Sequence, residues 1–350
     1  MSLPQRPQRW WEEAGLGPLP AEVRAPCSAC PQCAGVDPAV PVALATFDPR
    51  SKCCTYLPLL RNYQVGAILA DPDPSIAVGR ATVEARIDAA SAVSPLGLLW
   101  PESYSKAYTE GQRDFGRRQE LRCPHYIEEG GLCGVWRHRN ATCSTWFCRY
   151  ERGEVGRNLW RAVRELLDTI EEVLMWWALE AAGLPAAMRE RLAGADAALR
   201  LEAGPLDEEA RRRAWGDWFG RERALYLACH AAVDRLAWAD VRRIGGRRVE
   251  ARLEELQAAM DDHANLRLPP FLGPGQVERA HEDDVHRWLG GYRAYDPVAV
   301  PRRAWDRIVA GGVLPTEDLR RRLEQAIGAP LDDAALRDWI DRGILRAALP

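Results

Sequence analysis

From residue 157 the apolar positions recur with a helical period. Leu159, Val163, Leu166, Ile170, Val173 and Trp177 fall on one stripe, which Gly183 and Pro185 end. The same spacing predicts a second helix over 186–200. A third begins near Asp207 and runs through Trp215, Phe219, Tyr226, Val233 and Leu236 toward Gly245–Gly246. A fourth spans 247–264, with Val249, Leu253 and Leu256 inward. Trp176, Trp177, Trp215 and Trp218 read as the core of a helix bundle, with a cofactor pocket as the sharper alternative. Residues 151–265 are therefore expected to form a helical domain.

Before that domain the pattern is short-ranged. Residues 1–26, proline-rich and carrying Trp10 and Trp11, read as an irregular arm. VPVALATF (40–47) is a proline-bounded apolar run, expected to be a strand or an extended segment. A short helix is expected after Pro58, and another over 76–90 with Val83, Ile87 and Ala90 inward. The aromatic stretch 95–116 shows no clear period, and Gly130–Gly131 marks a tight turn between two short extended pieces.

After it, LRLPPFLGPG (266–275) reads as a linker, and 276–350 as a small terminal unit. YDPVAVP predicts a strand and RRAWDRIVAGG a helix. Thr316 caps a helix through Ile327, Asp332 or Asp333 caps another, and Gly343 stops it before ILRAAL. This order resembles a winged-helix fold, and loosely the peptide-recognition domains attached to enzymes that modify ribosomal peptides. The resemblance implies a module that docks a protein or peptide partner. Arg320, Arg321 and Arg322 could meet phosphates, but Glu317, Asp318 and Glu324 offset them.

Charge and targeting narrow the classes. With 47 basic and 50 acidic residues the net charge is −3, which argues against a nucleic-acid partner. The N-terminus lacks the apolar core of a signal peptide, and no apolar run approaches the roughly 18 residues of a membrane span. A cytoplasmic protein is expected.

The cysteines change the picture most. Of ten, nine lie before residue 149; only Cys229, in a helical stretch, reads as plain core. In a reducing compartment such clustering points to metal or redox chemistry rather than disulfides. CSACPQC sets Cys27, Cys30 and Cys33 three residues apart, so that three thiolates wrap one centre. That run leans toward an iron–sulfur cluster of the [4Fe–4S] kind, since zinc more often takes two separated knuckles. Cys54, of the vicinal pair Cys53–Cys54, is the expected fourth ligand. Cys123, Cys133, Cys143 and Cys148 are expected to form a second site, and His125 or His138 could replace a thiolate there. HEDDVH (281–286) has the wrong spacing for HExxH and reads as a solvated helix face. Dinucleotide, nucleoside-triphosphate and serine-hydrolase motifs are absent.

Residues 27–150 resemble a bacterial cysteine-cluster family known by its CxxCxxCC signature and described as a zinc- or iron-chelating domain. The matching residues are Cys27, Cys30, Cys33, Cys53 and Cys54, then Cys123, Cys133, Val135, Trp136, Arg139, Cys143 and Cys148. The chain departs from the pattern where residues 34–52 separate Cys33 from Cys53, and where Asn140 follows Arg139. The resemblance implies metal binding and supplies no reaction.

The expectation is thus a mainly α chain: an N-terminal arm (1–26), a cysteine-rich irregular metal-binding domain (27–150), a helical domain (151–265) and a winged-helix-like end (276–350). Its function is expected to be cysteine-ligated metal binding, iron–sulfur in kind, serving electron transfer or an oxidoreductase or maturation step. Structural zinc in an interaction module is the alternative.

Overall fold

A computed structural model of the chain describes residues 3–33, 41–111, 114–194 and 208–349. The chain is mainly α and divides into two compact units that interleave along the sequence. Unit 1 comprises residues 1–20, 47–146 and 163–254, and unit 2 comprises 21–46, 147–162 and 255–350.

Unit 1 begins with a helix where an irregular arm is expected. Helix α1 (Gln5–Glu13) buries Trp10 and Trp11, and Trp10 Nε1 donates to the Leu236 carbonyl at 2.9 Å. Pro7 is tolerated because it sits in the first turn, where its missing N–H has no intrahelical acceptor to lose. Helix α2 (Asn62–Ala70) lies against α9 (Glu222–Asp234) at a closeness only glycine allows. A Cβ on Gly66 would stand 1.9 Å from the Tyr226 carbonyl oxygen. Helix α3 (Ala77–Asp88) buries Val83 and Ile87 as expected, whereas Ala90 lies beyond its end at φ +51°.

Short strands β1 (Leu60–Arg61), β2 (Val93–Ser94) and β3 (Gly97–Leu98) form an antiparallel sheet in the order β1-β3-β2. The stretch expected to be irregular also contains α4 (Glu102–Glu110), a helix with no buried residue. Its inner face consists of Tyr104 and Tyr108, half-buried and stacked on each other, too few positions to show a period. Strands β4 (Tyr126–Ile127) and β5 (Leu132–Cys133) pair across the Gly130–Gly131 turn, both glycines at positive φ.

Helix α5 (Ala141–Thr145) follows, then α6 (Gly153–Ala181), whose first turns belong to unit 2 and the rest to unit 1. The buried line of α6 runs Leu159, Val163, Leu166, Ile170 and then Leu174 and Ala178. Val173 and Trp177 are only half-buried. The expected stripe alternates steps of four and three, a repeat of about 3.5, and drifts off the core because a straight helix turns once in about 3.6 residues.

The helix expected over 186–200 is α7 (Ala186–Ala193), and residues 195–200 lie outside the described residues, as does Asp207. The single third helix is three: α8 (Glu208–Trp215), α9, and α10 (Trp238–Ala264), which Gly246 breaks at φ +51°. Of the four tryptophans expected in the core, Trp215 is buried and the others are half-buried.

In unit 2, Val42–Leu44 is a single 3-10 turn; the short VPVALATF run does not form a strand, and Val40 lies outside the described residues. Strand β6 (Phe271–Pro274) comes from the Pro/Gly-rich stretch read as a linker, and stands at the centre of a sheet. It pairs with β10 (Leu314–Pro315) on one side and β11 (Leu345–Ala347) on the other. Strands β7 (Glu278–Glu282), β8 (His286–Gly290) and β9 (Val298–Pro301) form a meander. HEDDVH is accordingly a hairpin tip, where Asp283 accepts the N–H groups of Val285 and His286 at 2.8 and 2.6 Å, and no helix face forms there.

Helices α11 (Arg302–Gly311), α12 (Thr316–Ile327) and α13 (Asp333–Asp341) pack on a core that includes Leu272, Val300, Ile308, Leu319 and Leu336. Asp332 caps α13 as expected, accepting from Ala335 N–H at 2.8 Å. Thr316 caps nothing; its hydroxyl donates to the Pro269 carbonyl. Among the described residues, no helix is long and apolar enough to cross a membrane.

Candidate metal centres

In unit 1, four cysteines come from separate segments, and a backbone hydrogen bond joins two of them. The loop after Asp48 turns twice, with Ser51 N–H on the Asp48 carbonyl and Cys54 N–H on the Ser51 carbonyl, at 3.1 and 2.9 Å. The Cys54 carbonyl then accepts the Cys123 N–H at 2.8 Å. Beyond Cys123 the chain reverses, so that Tyr126 N–H meets the Cys123 carbonyl at 3.0 Å and His125 N–H donates to Cys123 Sγ. The β4–β5 hairpin sets Cys133 opposite Tyr126. Asn140 caps α5 by accepting Cys143 N–H at 3.0 Å, which fixes the fourth.

Two of these thiols are shifted by burial and by the charge of the others. Burial raises the Cys143 thiol well above its ordinary value, and Cys123, Cys133 and Cys54 push it further up. Cys123 is likewise raised, chiefly by burial and with Cys54 and Cys133 adding to it, against the N–H bond from His125. Cys54 goes the other way. A hydrogen bond from Cys53 lowers it, with Lys52 helping, despite its burial.

Two basic side chains of the same neighbourhood carry unmatched polar atoms. Arg86, on the inner side of α3, uses Nη2 to donate to the Ser91 and Leu99 carbonyls at 3.3 and 2.6 Å. Its Nη1 is buried with no hydrogen-bond partner. Burial lowers the Arg86 pKa, and only Tyr226 and Cys123 pull it up. His125 is fully buried; desolvation, then Arg86, push it down to about 4, so the ring is neutral. Its Nδ1 lies 2.7 Å from Thr82 Oγ1, while Nε2 has no partner. His138, the other candidate nitrogen ligand, is engaged elsewhere: Nε2 stands 2.8 Å from Asp71 Oδ2.

Unit 2 holds the CSACPQC triplet, with Cys33 N–H on the Cys30 carbonyl at 3.1 Å. Its neighbour is Cys148, which burial pushes up to about 12 with Cys30 and Cys27 adding to the rise. The adjoining Arg149 donates from Nη2 to the Pro31 carbonyl at 3.3 Å, inside the triplet. Arg149 also faces Asp296, a carboxylate only 1% exposed, at 3.8 Å. Asp296 accepts both arms of Arg24 at 2.8 and 2.9 Å, Arg342 at 2.9 Å and the Tyr292 hydroxyl at 2.6 Å. A guanidinium-rich frame therefore holds the triplet loop.

Of the expected ligands, Cys54 is tied through its carbonyl to Cys123 in unit 1, and Arg149 ties the Cys148 segment to Pro31 in unit 2. The boundary between the units falls between 146 and 147, so Cys143 belongs to unit 1 and Cys148 to unit 2. Among the described residues, no three His, Cys, Asp or Glu side chains close on a point from which all could ligate one ion. The thiols are gathered by donor type into two neighbourhoods without forming a finished shell.

Sequence reasoning missed Arg86, Asp296 and the arginines around it. For Arg86 a faint signal existed, since an arginine between Val83 and Ile87 interrupts the inner face of a helix. Comparison with family models, curated proteins and solved structures gives no match for this chain.

Proposed function

We propose that the chain is a metal-binding protein with two thiolate-ligated centres, iron–sulfur in kind, serving electron transfer or an oxidoreductase or maturation step in the reducing cytoplasm. Cys54, Cys123, Cys133 and Cys143 would hold one centre, and Cys27, Cys30, Cys33 and Cys148 the other. An iron–sulfur cluster so held would supply one-electron chemistry. The observation that carries the reading is the charge balance at Arg86. A guanidinium with a buried, unpartnered Nη1 stands beside Cys123 and, among the described residues, is matched by no carboxylate. Next to neutral thiols that cation is expensive; next to metal-bound thiolates, whose charge exceeds that of the metal, it is compensated. The His125 N–H bond to Cys123 Sγ works in the same sense, since amide donors favour a thiolate.

The test is anaerobic purification with metal and acid-labile sulfide analysis and a visible spectrum. Iron, sulfide and broad absorption near about 400 nm are expected. Cys123→Ser and Cys30→Ser should each remove one centre's share and leave the other. Protein without bound metal, refractory to reconstitution, would overturn the proposal.

Zinc in a colourless protein would instead favour an interaction module. The exposed Val309 and Val313, around the end of α11 in the part of unit 2 that we read as winged-helix-like, support such a docking role for a protein or peptide.

A further inference from the structure

Helix α1 is fastened to α9 through Arg6, by a bond that one ring proton would abolish. Among the described residues, Arg6 has two hydrogen-bond acceptors, both reached by Nη2: His230 Nδ1 at 2.9 Å and Asp234 Oδ1 at 3.0 Å. A guanidinium can only donate and keeps its charge, so Nδ1 must present a lone pair. The His230 ring is therefore neutral, with its hydrogen on Nε2. A proton on Nδ1 would remove the bond and leave two cations 2.9 Å apart. Arg6 has little water to turn to, since its side chain is only 12% exposed and lies over the Tyr63 ring at 5.7 Å.

Each neighbour of the ring brings its own charge or none. From α1 come Arg6 and Arg9, whose Nη2 donates to the Asp234 and Leu236 carbonyls at 3.1 and 2.9 Å. Helix α2 presses close, since a Cβ on Gly66 would stand 2.7 Å from His230 Cβ, but it carries no charged residue. Asp234 lies one turn along α9. Asp71 and His138 face each other at 2.8 Å, and Arg137 reaches both Asp71, at 3.6 Å, and Gln5 of α1, at 3.1 Å. Burial, then Arg6, lower the His230 pKa from 6.5; His138 adds to the fall, while Asp234 and Asp71 oppose it.

We propose that α1 is a pH-operated latch, docked through the Arg6–His230 bond while the imidazole is neutral and loosened when a proton takes Nδ1. The latch needs no metal and stands apart from the thiolate reading. Undocked, the ring takes its proton at the ordinary value of 6.5; docked, it resists. Docking is therefore complete above that value and weakens as pH falls below it, by at most about tenfold per pH unit for one proton. Trp10 and Arg9 still hold the Leu236 carbonyl, so acid frees the Arg6 end first.

Hydrogen exchange of the full chain between pH 7.5 and pH 5 tests the latch, read by mass spectrometry on peptides spanning α1 and corrected for the intrinsic pH dependence of amide exchange. In the wild type the open fraction of α1 should rise as pH falls, by up to about tenfold per pH unit, while peptides of α2 and α9 keep their protection. His230→Asn offers a neutral acceptor that cannot titrate, so its α1 should open to the same extent across the range. Arg6→Met serves if that variant does not fold. It removes the donor and spares the ring, and its α1 should already be more open at pH 7.5, with a shallower slope. An open fraction that does not change with pH in the wild type overturns the proposal, as does an undiminished slope in either variant.

Discussion

The Cys123 N–H donates to the Cys54 carbonyl at 2.8 Å, joining the vicinal-cysteine loop to the cysteine ahead of the β4–β5 hairpin. Although joined, the two thiols have opposite acidities. Cys54 is lowered by its bond from Cys53, and Cys123 is raised by burial. The thiolate is the nucleophile, so in metal-free protein Cys54 should alkylate at least about tenfold faster than Cys123 or Cys143. Mass spectrometry after brief iodoacetamide treatment measures this. Metal should abolish the difference by protecting all three, and faster labelling at Cys123 would contradict the assigned arrangement.

Glu171 holds the start of the helix that bears Cys143. Its Oε1 accepts the Ala141 N–H at 2.7 Å, at the start of the helix bearing Cys143, and Gln64 Nε2 at 2.9 Å. Burial, with Asp168 adding, raises this carboxyl from 4.5 to about 8. The folded state therefore binds a proton that the unfolded state has released over that interval. The resulting stability is complete below the unfolded pKa and is lost as pH rises through the folded one, by at most about 1.4 kcal/mol per pH unit. Glu171→Gln retains an acceptor without the titration. Urea unfolding from pH 5 to pH 8 should show a falling midpoint in the wild type and a flatter one in the variant.

Much of this framework was legible in the chain, and the losses have physical causes. The Gly130–Gly131 hairpin could be read because few residues tolerate two successive positive φ values. Helices α2, α3 and α6 could be read because their apolar spacing is helical. Helix α1 was hidden by its prolines and α4 by its short inner face. Strand β6 was hidden by prolines and glycines that usually mark connectors. The pool of cysteines was plain, but the bond from Cys123 N–H to the Cys54 carbonyl is one that no local pattern encodes. Arg86 gains meaning only when unpartnered atoms can be seen.

Two glycines separate general stability from the site. A Cβ on Gly66 would meet the Tyr226 carbonyl oxygen at 1.9 Å, forcing α2 and α9 apart. A Cβ on Gly79 would meet the Gly134 carbonyl oxygen at 2.1 Å, forcing α3 from the hairpin that carries Cys133. Overpacking of this kind costs about 1–3 kcal/mol, occasionally more. Gly66→Ala should lower the unfolding midpoint with little change in metal content. Gly79→Ala should lower both, and equal metal retention in the two variants would show that contact between α3 and the hairpin does not shape the centre.

Asp296 is the last test, because one carboxylate serves three guanidiniums in unit 2. Arg24 and Arg342 bond it at 2.8 and 2.9 Å, and Arg149, which reaches into the cysteine triplet, lies 3.8 Å away. Asp296→Asn keeps the shape but removes the charge, leaving Arg342 and Arg149 largely buried without it. Breaking a buried ion pair by removing one partner typically costs about 3–5 kcal/mol. Arg342 retains Asp338 at 2.7 Å, so the lower end is expected. The Tyr150 N–H, which donates to Tyr292 Oη at 3.2 Å while that hydroxyl donates to Asp296, should lose hydrogen-exchange protection first. If the midpoint and the Tyr150 amide both hold at wild-type values, the carboxylate is not what keeps the arginine frame, and with it the triplet loop, in place.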